Sequence, residues 1–212
     1  MSATLSPATA QTAGRGAPAP LVAVLALWFL AVFALGADGA FMAPPHTPPL
    51  ALLIAFVAPI AAGVVAYRAS QRFREWVLGI EPRLLVSLQS WRVAGFAFVA
   101  LSVHGILPGF FAWPAGLGDI AIGLTAPLIL GRLAQSPAYA SSPAYVRWNL
   151  LGLLDLFVAI GLGAIGGFLL SDRPVTTAPM ATLPLVLIPA FFVPGYILIH
   201  FAALARARRR AA

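Results

Sequence analysis

Arg92, Asp155 and His200 are ionisable residues that lie inside long apolar stretches of this sequence. An arginine or aspartate at the centre of a membrane helix costs about 2.5–3.5 kcal/mol on insertion scales, so such residues are candidates for function. From the rise per residue of an α-helix, Arg92 and Asp155 are both expected about 12 Å, and His200 about 9 Å, from the same face of a helical bundle. This matched depth predicts an Arg92–Asp155 ion pair.

Gln89 and Asn149 each lie close to one of these charged residues along the chain, and they complete a predicted inner polar layer. A second predicted set, near the opposite face, contains His104 and Asp119. The segment between them, HGILPGFFAWPAGLGD, is short enough for the two side chains to meet. Because histidine gains or loses a proton near neutral pH, the inner layer is interpreted as a gate or proton relay and the outer pair as a binding site.

Both buried acids are flanked by small residues on their own helix face. The patterns are Gly116-x-x-Asp119-x-x-x-Gly123 and Gly152-x-x-Asp155-x-x-x-Ala159. Residues at this spacing share a face, and small side chains let helices approach closely. Each acid is therefore expected at a helix–helix interface and not in contact with lipid.

The loop GADGAFMAPPHTPPL carries His46 and Met42, which are ligand types that bind copper. Two ligands in a proline-rich loop are weak evidence, and no metal or other cofactor is predicted. The chain has no cysteine, which excludes disulfides, thiol nucleophiles and iron–sulfur clusters. Walker, GxSxG, HExxH and GxGxxG motifs are also absent from the sequence, so the residues indicate no catalytic site and the chain is not expected to be an enzyme.

The composition indicates an integral membrane protein. Charged residues make up 9% of the chain and hydrophobic residues 61%, whereas a soluble domain carries about 25% charged residues. The net charge of +7 comes from arginines that are scattered between apolar stretches, with one cluster at the C-terminal end. This distribution does not favour nucleic-acid binding.

Apolar stretches of the length that crosses a bilayer predict an all-α, polytopic bundle of six helices arranged as three hairpins. The predicted spans are about 20–37, 50–67, 85–107, 115–133, 148–170 and 182–204. Residues 1–19 are predicted to form a flexible tail, residues 206–212 a basic tail, and residues 69–80 a short helix in the membrane interface. That last prediction follows from the apolar stripe Phe73, Trp76, Val77 and Ile80.

The arginines predict the orientation. Of the 13 basic residues, all arginines, only Arg92 and Arg173 fall outside one face of a six-span arrangement. By the positive-inside rule, both termini are cytoplasmic. An alternative stays open for the first span. Together, Arg15, the apolar run LVAVLALWFLAVFALG and the small residues Ala34 and Gly36 resemble a signal peptide that is cleaved after Gly36.

Pro59, Pro127 and Pro194 recur at intervals of 68 and 67 residues, in the second, fourth and sixth spans. WRVAG at 91–95 and WNLLG at 148–152 also start two spans alike. These similarities suggest three tandem hairpins, as in some transporters. The alternative is coincidence, because proline is common in membrane helices.

Two classes of function compete. The first is a small, homo-oligomeric transporter or channel-like protein whose relay handles a small solute or protons. The second is a membrane scaffold or accessory subunit of a larger complex, in which the Arg92–Asp155 pair only clamps helices together. A haem or copper protein, or an intramembrane enzyme, is a lesser alternative.

The strings WRVAGFAFVAL, LPGFFAWPAGLGDIAIGLTAP, RWNLLGLLDLFVAIGLG and LPLVLIPAFFVPGYILIH resemble a group of uncharacterised, small, polytopic bacterial membrane proteins. The resemblance covers about residues 85–205. It implies a location in the bacterial inner membrane and assigns no activity and no catalytic residue.

Overall fold

The computed structural model describes residues 19–211 and the side chains of residues 20–209. Within this part of the chain the secondary structure is helical and contains no strand, which confirms the predicted all-α class. The predicted N-terminal tail, with Arg15, lies outside the described residues apart from Ala19. In the predicted basic tail, the Arg210 side chain and residue 212 also lie outside them.

Eight α-helices and five shorter helical segments follow one another along the described chain. The α-helices are α1 (Ala19–Ala37), α2 (Leu50–Ala69), α3 (Gln71–Gly79), α4 (Pro82–Gln89), α5 (Phe96–Val103), α6 (Gly109–Gln135), α7 (Pro143–Ala164) and α8 (Val193–Ala211). The 3₁₀ segments are Ser90–Gly95, Pro137–Ser141 and Ala178–Ala181, and the π-helical segments are Ile165–Leu169 and Ile188–Phe192.

Six helical stretches are long and apolar enough to cross a membrane. They are Pro20–Ala37, Leu50–Ala69, Pro82–Val103, Gly109–Gln135, Pro143–Leu169 and Ile188–Arg209. Their outward surfaces carry exposed leucine, isoleucine and valine, and no residue of α2 is buried. An apolar face of this size without a protein partner is typical of helices in contact with lipid.

The helices differ from the predicted spans in two ways that affect the polar residues. The fourth span begins at Gly109 and not near 115, because Pro108 ends the preceding turn and Pro114 is accommodated within the helix. The third span changes from α to 3₁₀ geometry at Ser90 and back to α at Phe96, so Arg92 lies in a break within the span. Such breaks change the direction of side chains relative to a continuous helix.

Helix α6 is the centre of the packing. It lies against α4, the 3₁₀ segment Ser90–Gly95, α5 and α7, and α8 in turn packs on α7, α2 and α4. The second and third predicted hairpins are therefore packed units. The first differs from the prediction, because α1 and α2 both pack on the segment Ile188–Phe192, where Trp28 and Phe29 contact Phe191.

Helix α3 carries the apolar stripe that was predicted to lie in the membrane interface. In the structure Val77 is buried, and the other stripe residues pack against a core cluster that includes Ala203 and Ala207 of α8. The end of the helix is held by Arg206, whose Nη1 donates hydrogen bonds to the carbonyls of Leu78 (2.7 Å) and Ile80 (2.6 Å). The stripe thus faces protein, and this helix is anchored to the last span.

Glycines set the closest crossing, between α6 and the broken third span. A Cβ atom on Gly95 would lie 2.8 Å from the carbonyl oxygen of Gly116, and one on Gly116 would lie 2.9 Å from the carbonyl oxygen of Gly95. A Cβ on Gly123 would collide with the backbone nitrogen of Val93. Because backbone atoms cannot move aside as a side-chain end can, this crossing requires glycine at all three positions.

We expect Gly123→Ala to destabilise the protein by about 1–3 kcal/mol or more, because the added methyl group overpacks the crossing. Gly131→Ala is the matched control on the same helix, since a Cβ there meets no atom within 4 Å. The measurement is the thermal unfolding midpoint in detergent, followed by tryptophan fluorescence. Equal midpoints for the two variants would contradict the close crossing.

Candidate functional site

Arg92 lies at the centre of the bundle, where its side chain is fully enclosed. Its Nε donates a hydrogen bond to Oδ1 of Asp119 at 2.7 Å, and its Nη2 donates to Oδ2 of Asp155. Its Nη1 donates to the carbonyl of Gly152 (3.3 Å) and to Nε2 of His200 (3.2 Å). One guanidinium therefore joins α6, α7 and α8 to the 3₁₀ segment of the third span.

His200 is held in one protonation and tautomeric state by its partners. Because a guanidinium nitrogen only donates, Nε2 of His200 must accept, and the ring proton is carried by Nδ1. Nδ1 then donates to Oδ1 of Asn149 at 2.9 Å, while Nδ2 of Asn149 donates to the carbonyl of Tyr145 at 2.9 Å. The imidazole is thus neutral, and it orients Arg92. We call Arg92, Asp119, Asp155, His200 and Asn149 the Arg92 cluster.

Two glycines make room for this cluster. A Cβ atom on Gly118 would collide with the carboxylate of Asp155, and one on Gly152 would lie 2.5 Å from Nε2 of His200 and 3.3 Å from Nη1 of Arg92. Gly152 belongs to the small-residue pattern around Asp155. The role of Gly118 was not predicted. It lies next to Asp119 in the sequence, but it leaves space for Asp155 of the neighbouring helix α7.

The cluster lies near the middle of the spans, deeper than predicted. Arg92 is ten residues from the start of α4 and Asp119 ten residues from the start of α6, or about 15 Å in each case. Asp155 is about 18 Å along α7, and His200 is about 14 Å from Arg209. The sequence-based depths were smaller because the predicted spans started or ended several residues away from the observed bounds.

The structure brings together Arg92, Asp155, His200 and Asn149 from the predicted inner layer, and the Arg92–Asp155 ion pair is present. It adds Asp119, which was predicted to meet His104. This pairing was wrong: His104 is exposed at the end of α5, whereas Asp119 reaches Arg92 because α6 begins earlier than expected.

Gln89 is buried but does not join the cluster by a hydrogen bond. Both polar atoms of its side-chain amide lack a hydrogen-bond partner among the described residues. The α-to-3₁₀ change begins directly after Gln89, so the regular one-turn relation to Arg92 assumed from the sequence does not hold.

His46 connects two loops at one end of the bundle. Its Nε2 lies 2.8 Å from Oδ2 of Asp172, and the hydroxyl of Ser171 lies 3.2 Å from its Nδ1. Met42, the other weak copper candidate, is exposed. Among the described residues no group of three or more His, Cys, Asp or Glu side chains is placed to hold a metal ion.

A cavity of about 520 Å³ leads from these loops to the Arg92 cluster. Its lining is mostly apolar and includes Phe56, Phe98 and Phe111. Asp119 is the one charged residue among the described lining residues, and its side chain is 17% exposed. This cavity was not predicted from the sequence, because its wall combines loop residues with residues of five of the six apolar stretches and of the segment Ala178–Ala181.

The arrangement suits the binding of charge. When both carboxylates are ionised, one guanidinium faces two negative charges, so the cluster carries a net charge of −1. A site of this kind can hold a proton or an organic cation beside Asp119.

Arg92→Met should leave two carboxylates buried without a counter-charge and destabilise the protein by about 3–5 kcal/mol. Adding Asp119→Asn and Asp155→Asn to that variant should recover much of the loss, because the unpaired charges disappear. The measurement is again the unfolding midpoint in detergent. Arg173→Met, at an exposed arginine, is the control and should change the midpoint little. A triple variant no more stable than Arg92→Met would show that charge compensation is not what Arg92 provides.

Comparison with known proteins places most of the chain in one family. No curated protein and no solved structure matches it. Residues 49–208 match the family model described as Domain of unknown function (DUF8737), a match that covers well over half of the chain and includes every residue of the Arg92 cluster. The chain therefore belongs to the uncharacterised family DUF8737.

Proposed function

We propose that this chain is a six-span protein of the bacterial inner membrane that works as a small transporter, with the Arg92 cluster as its proton-binding centre. The location is supported by six apolar helical stretches whose exposed surfaces are rich in leucine, isoleucine and valine. Such surfaces are stable next to lipid and would aggregate in water.

The proposed orientation has both termini in the cytoplasm. The arginines from the end of α2 to the start of α4 lie at the same end of the spans as the arginines that end α8. Arg132, near the end of α6, and Arg147, near the start of α7, lie at this end too. A short loop rich in arginine stays on the cytoplasmic side during insertion. The cavity mouth then faces the periplasm, because its loops join the opposite ends of the spans.

The observation that carries the transport function is the cavity that ends at Asp119. A chain that only clamped helices together would not need an apolar space beside its central ion pair. Polar residues in the middle of membrane spans typically mark solute pathways and proton relays. Here the pathway would run from the cavity past Asp119 to Asp155 and the inner face.

Proton binding is supported by the charge balance of the cluster. Arg92 contacts both carboxylates. The α8 side chains His200 and Tyr196 lie against Arg92, with the Tyr196 ring 5.8 Å from the guanidinium carbon. His200 is neutral, so one positive charge serves two acids. A proton shared by Asp119 and Asp155 brings the cluster to neutrality, and its loss leaves one negative charge for a solute to balance.

The scaffold alternative also has an observation in its favour. Arg92 makes hydrogen bonds from all three of its side-chain nitrogens, as a purely structural clamp would. The variant Asp155→Asn distinguishes the two functions. A structural clamp needs only an oxygen that accepts a hydrogen bond at this position, whereas a proton carrier needs a carboxylate.

The orientation can be tested with single cysteines, because the chain has none of its own. Ala40→Cys, in the α1–α2 loop, should react with a membrane-impermeant maleimide in intact cells, and Ser136→Cys, in the α6–α7 connection, should react only after lysis. The cysteine-free parent is the control for background labelling. The reverse pattern would overturn the proposed orientation.

The transport function can be tested by proton flux into liposomes. With a pH-sensitive dye inside and a potassium diffusion potential imposed with valinomycin, wild-type protein should acidify the lumen faster than protein-free liposomes. Asp155→Asn should reduce the rate to that of protein-free liposomes, because the amide cannot carry a proton. Its unfolding midpoint should stay close to that of the wild type.

Glu75→Gln, at an exposed acid of α3, is the matched control and should keep the wild-type rate. A wild-type rate equal to that of protein-free liposomes would rule out the transporter, and an unchanged rate in Asp155→Asn would remove Asp155 from the pathway. The first of these results favours the scaffold.

A further inference from the structure

The cavity beside Asp119 has the size and lining of a binding site for an apolar molecule. Its volume of about 520 Å³ falls in the range of small-molecule sites, which is about 300–1,000 Å³. Aromatic rings come from three separate helices, with Phe56 on α2, Phe98 on α5 and Phe111 on α6. Phe98 and Phe111 form an edge-to-face pair with ring centroids 5.6 Å apart. An apolar solute would replace water in this space without losing hydrogen bonds.

The charge at the end of the cavity selects the sign of the solute. Asp119 is the one charged residue among the described lining residues, and Arg92, which would attract an anion, does not line the cavity. The guanidinium contacts Oδ1 of Asp119 and is itself enclosed, so a solute in the cavity meets the carboxylate and not the arginine. An anion would be repelled by this carboxylate.

The same features argue against a metal ion. The described residues provide no group of three His, Cys, Asp or Glu side chains that could coordinate one. Hard cations such as Mg²⁺ need several oxygen ligands at short distance, and prefer charged ones. This wall offers one carboxylate and three threonines among residues that are otherwise aromatic or aliphatic. A cation that keeps its charge within an apolar body needs only one counter-ion, and the aromatic faces add cation–π attraction.

We infer that the cavity binds a monovalent organic cation with a bulky apolar body, whose counter-ion is Asp119. That this cation is transported rests on the proposed function. That it binds rests only on the cavity and on Asp119. The bound cation brings the Arg92 cluster to a net charge of zero when both acids are ionised. The phenylalanine-rich wall holds the apolar body.

The test is equilibrium binding of tetraphenylphosphonium to the full chain in detergent. Anionic tetraphenylborate keeps all four phenyl groups and reverses the charge, and neutral triphenylphosphine oxide keeps three of them and removes the charge. Tetraphenylphosphonium should bind, and both other probes should bind at least about thirtyfold more weakly, which corresponds to the low end of the cost of removing one partner of a buried charge pair. Equal affinities for the three probes would overturn the inference.

Two variants separate charge from shape. Asp119→Asn should weaken tetraphenylphosphonium binding by about thirtyfold or more and leave triphenylphosphine oxide binding unchanged. Asp38→Asn, at an exposed acid of the α1–α2 loop, is the matched control and should bind as the wild type does. Unchanged binding in Asp119→Asn would overturn the inference.

If Asp119→Asn fails to fold, tetraphenylphosphonium binding to Ala159→Phe tests the site instead. Ala159 lines the cavity on α7, one turn after Asp155, and a phenyl group there fills the space without removing a charge. Loss of tetraphenylphosphonium binding in this variant supports the site, and retained binding overturns it. Binding without proton flux would refute the transporter and support the binding site. Proton flux without binding would support the transporter and refute the binding site.

Discussion

The burial of the Arg92 guanidinium is the constraint on which the rest of the bundle depends. A charge without contact with water is tolerated only when it is paired and its N–H groups are hydrogen-bonded. Here the partners come from three helices: Asp119 from α6, Asp155 and the Gly152 carbonyl from α7, and His200 from α8. The helices must therefore approach Arg92 at a common depth, and this requirement sets their relative positions more strongly than apolar packing against lipid can.

Glycine and the 3₁₀ break make that approach possible. Gly95, Gly116 and Gly123 let α6 lie directly on the backbone of the third span, and Gly118 and Gly152 leave space for Asp155 and His200. The 3₁₀ segment Ser90–Gly95 carries Arg92 between two regular helices. The arrangement has a chemical consequence, because Asp119 uses one side of its carboxylate to hold Arg92 and also borders the cavity. A change in the charge state of this acid would affect both the contact with Arg92 and the charge of the cavity wall.

Parts of this arrangement were predictable. A buried arginine, two buried acids and a histidine stand out in apolar stretches, and the small residues around each acid indicate close helix contacts. The Arg92–Asp155 contact followed from estimated depth. Asp119 was assigned to the wrong partner, because depth is measured from the helix start and Pro114 gave a false start for α6. Gln89 was placed with the cluster by helical periodicity, which fails where the third span changes to 3₁₀ geometry.

Local composition and periodicity were enough to predict the all-helical class, the six apolar helical stretches and the short list of polar residues inside them. Tertiary contacts determine which of those residues meet, where α1 and α2 pack, and that a cavity borders Asp119. Contacts between helices depend on where each helix starts, where it bends and where a glycine lets a neighbour approach. Such differences change which side chains face one another without changing the hydropathy of any stretch.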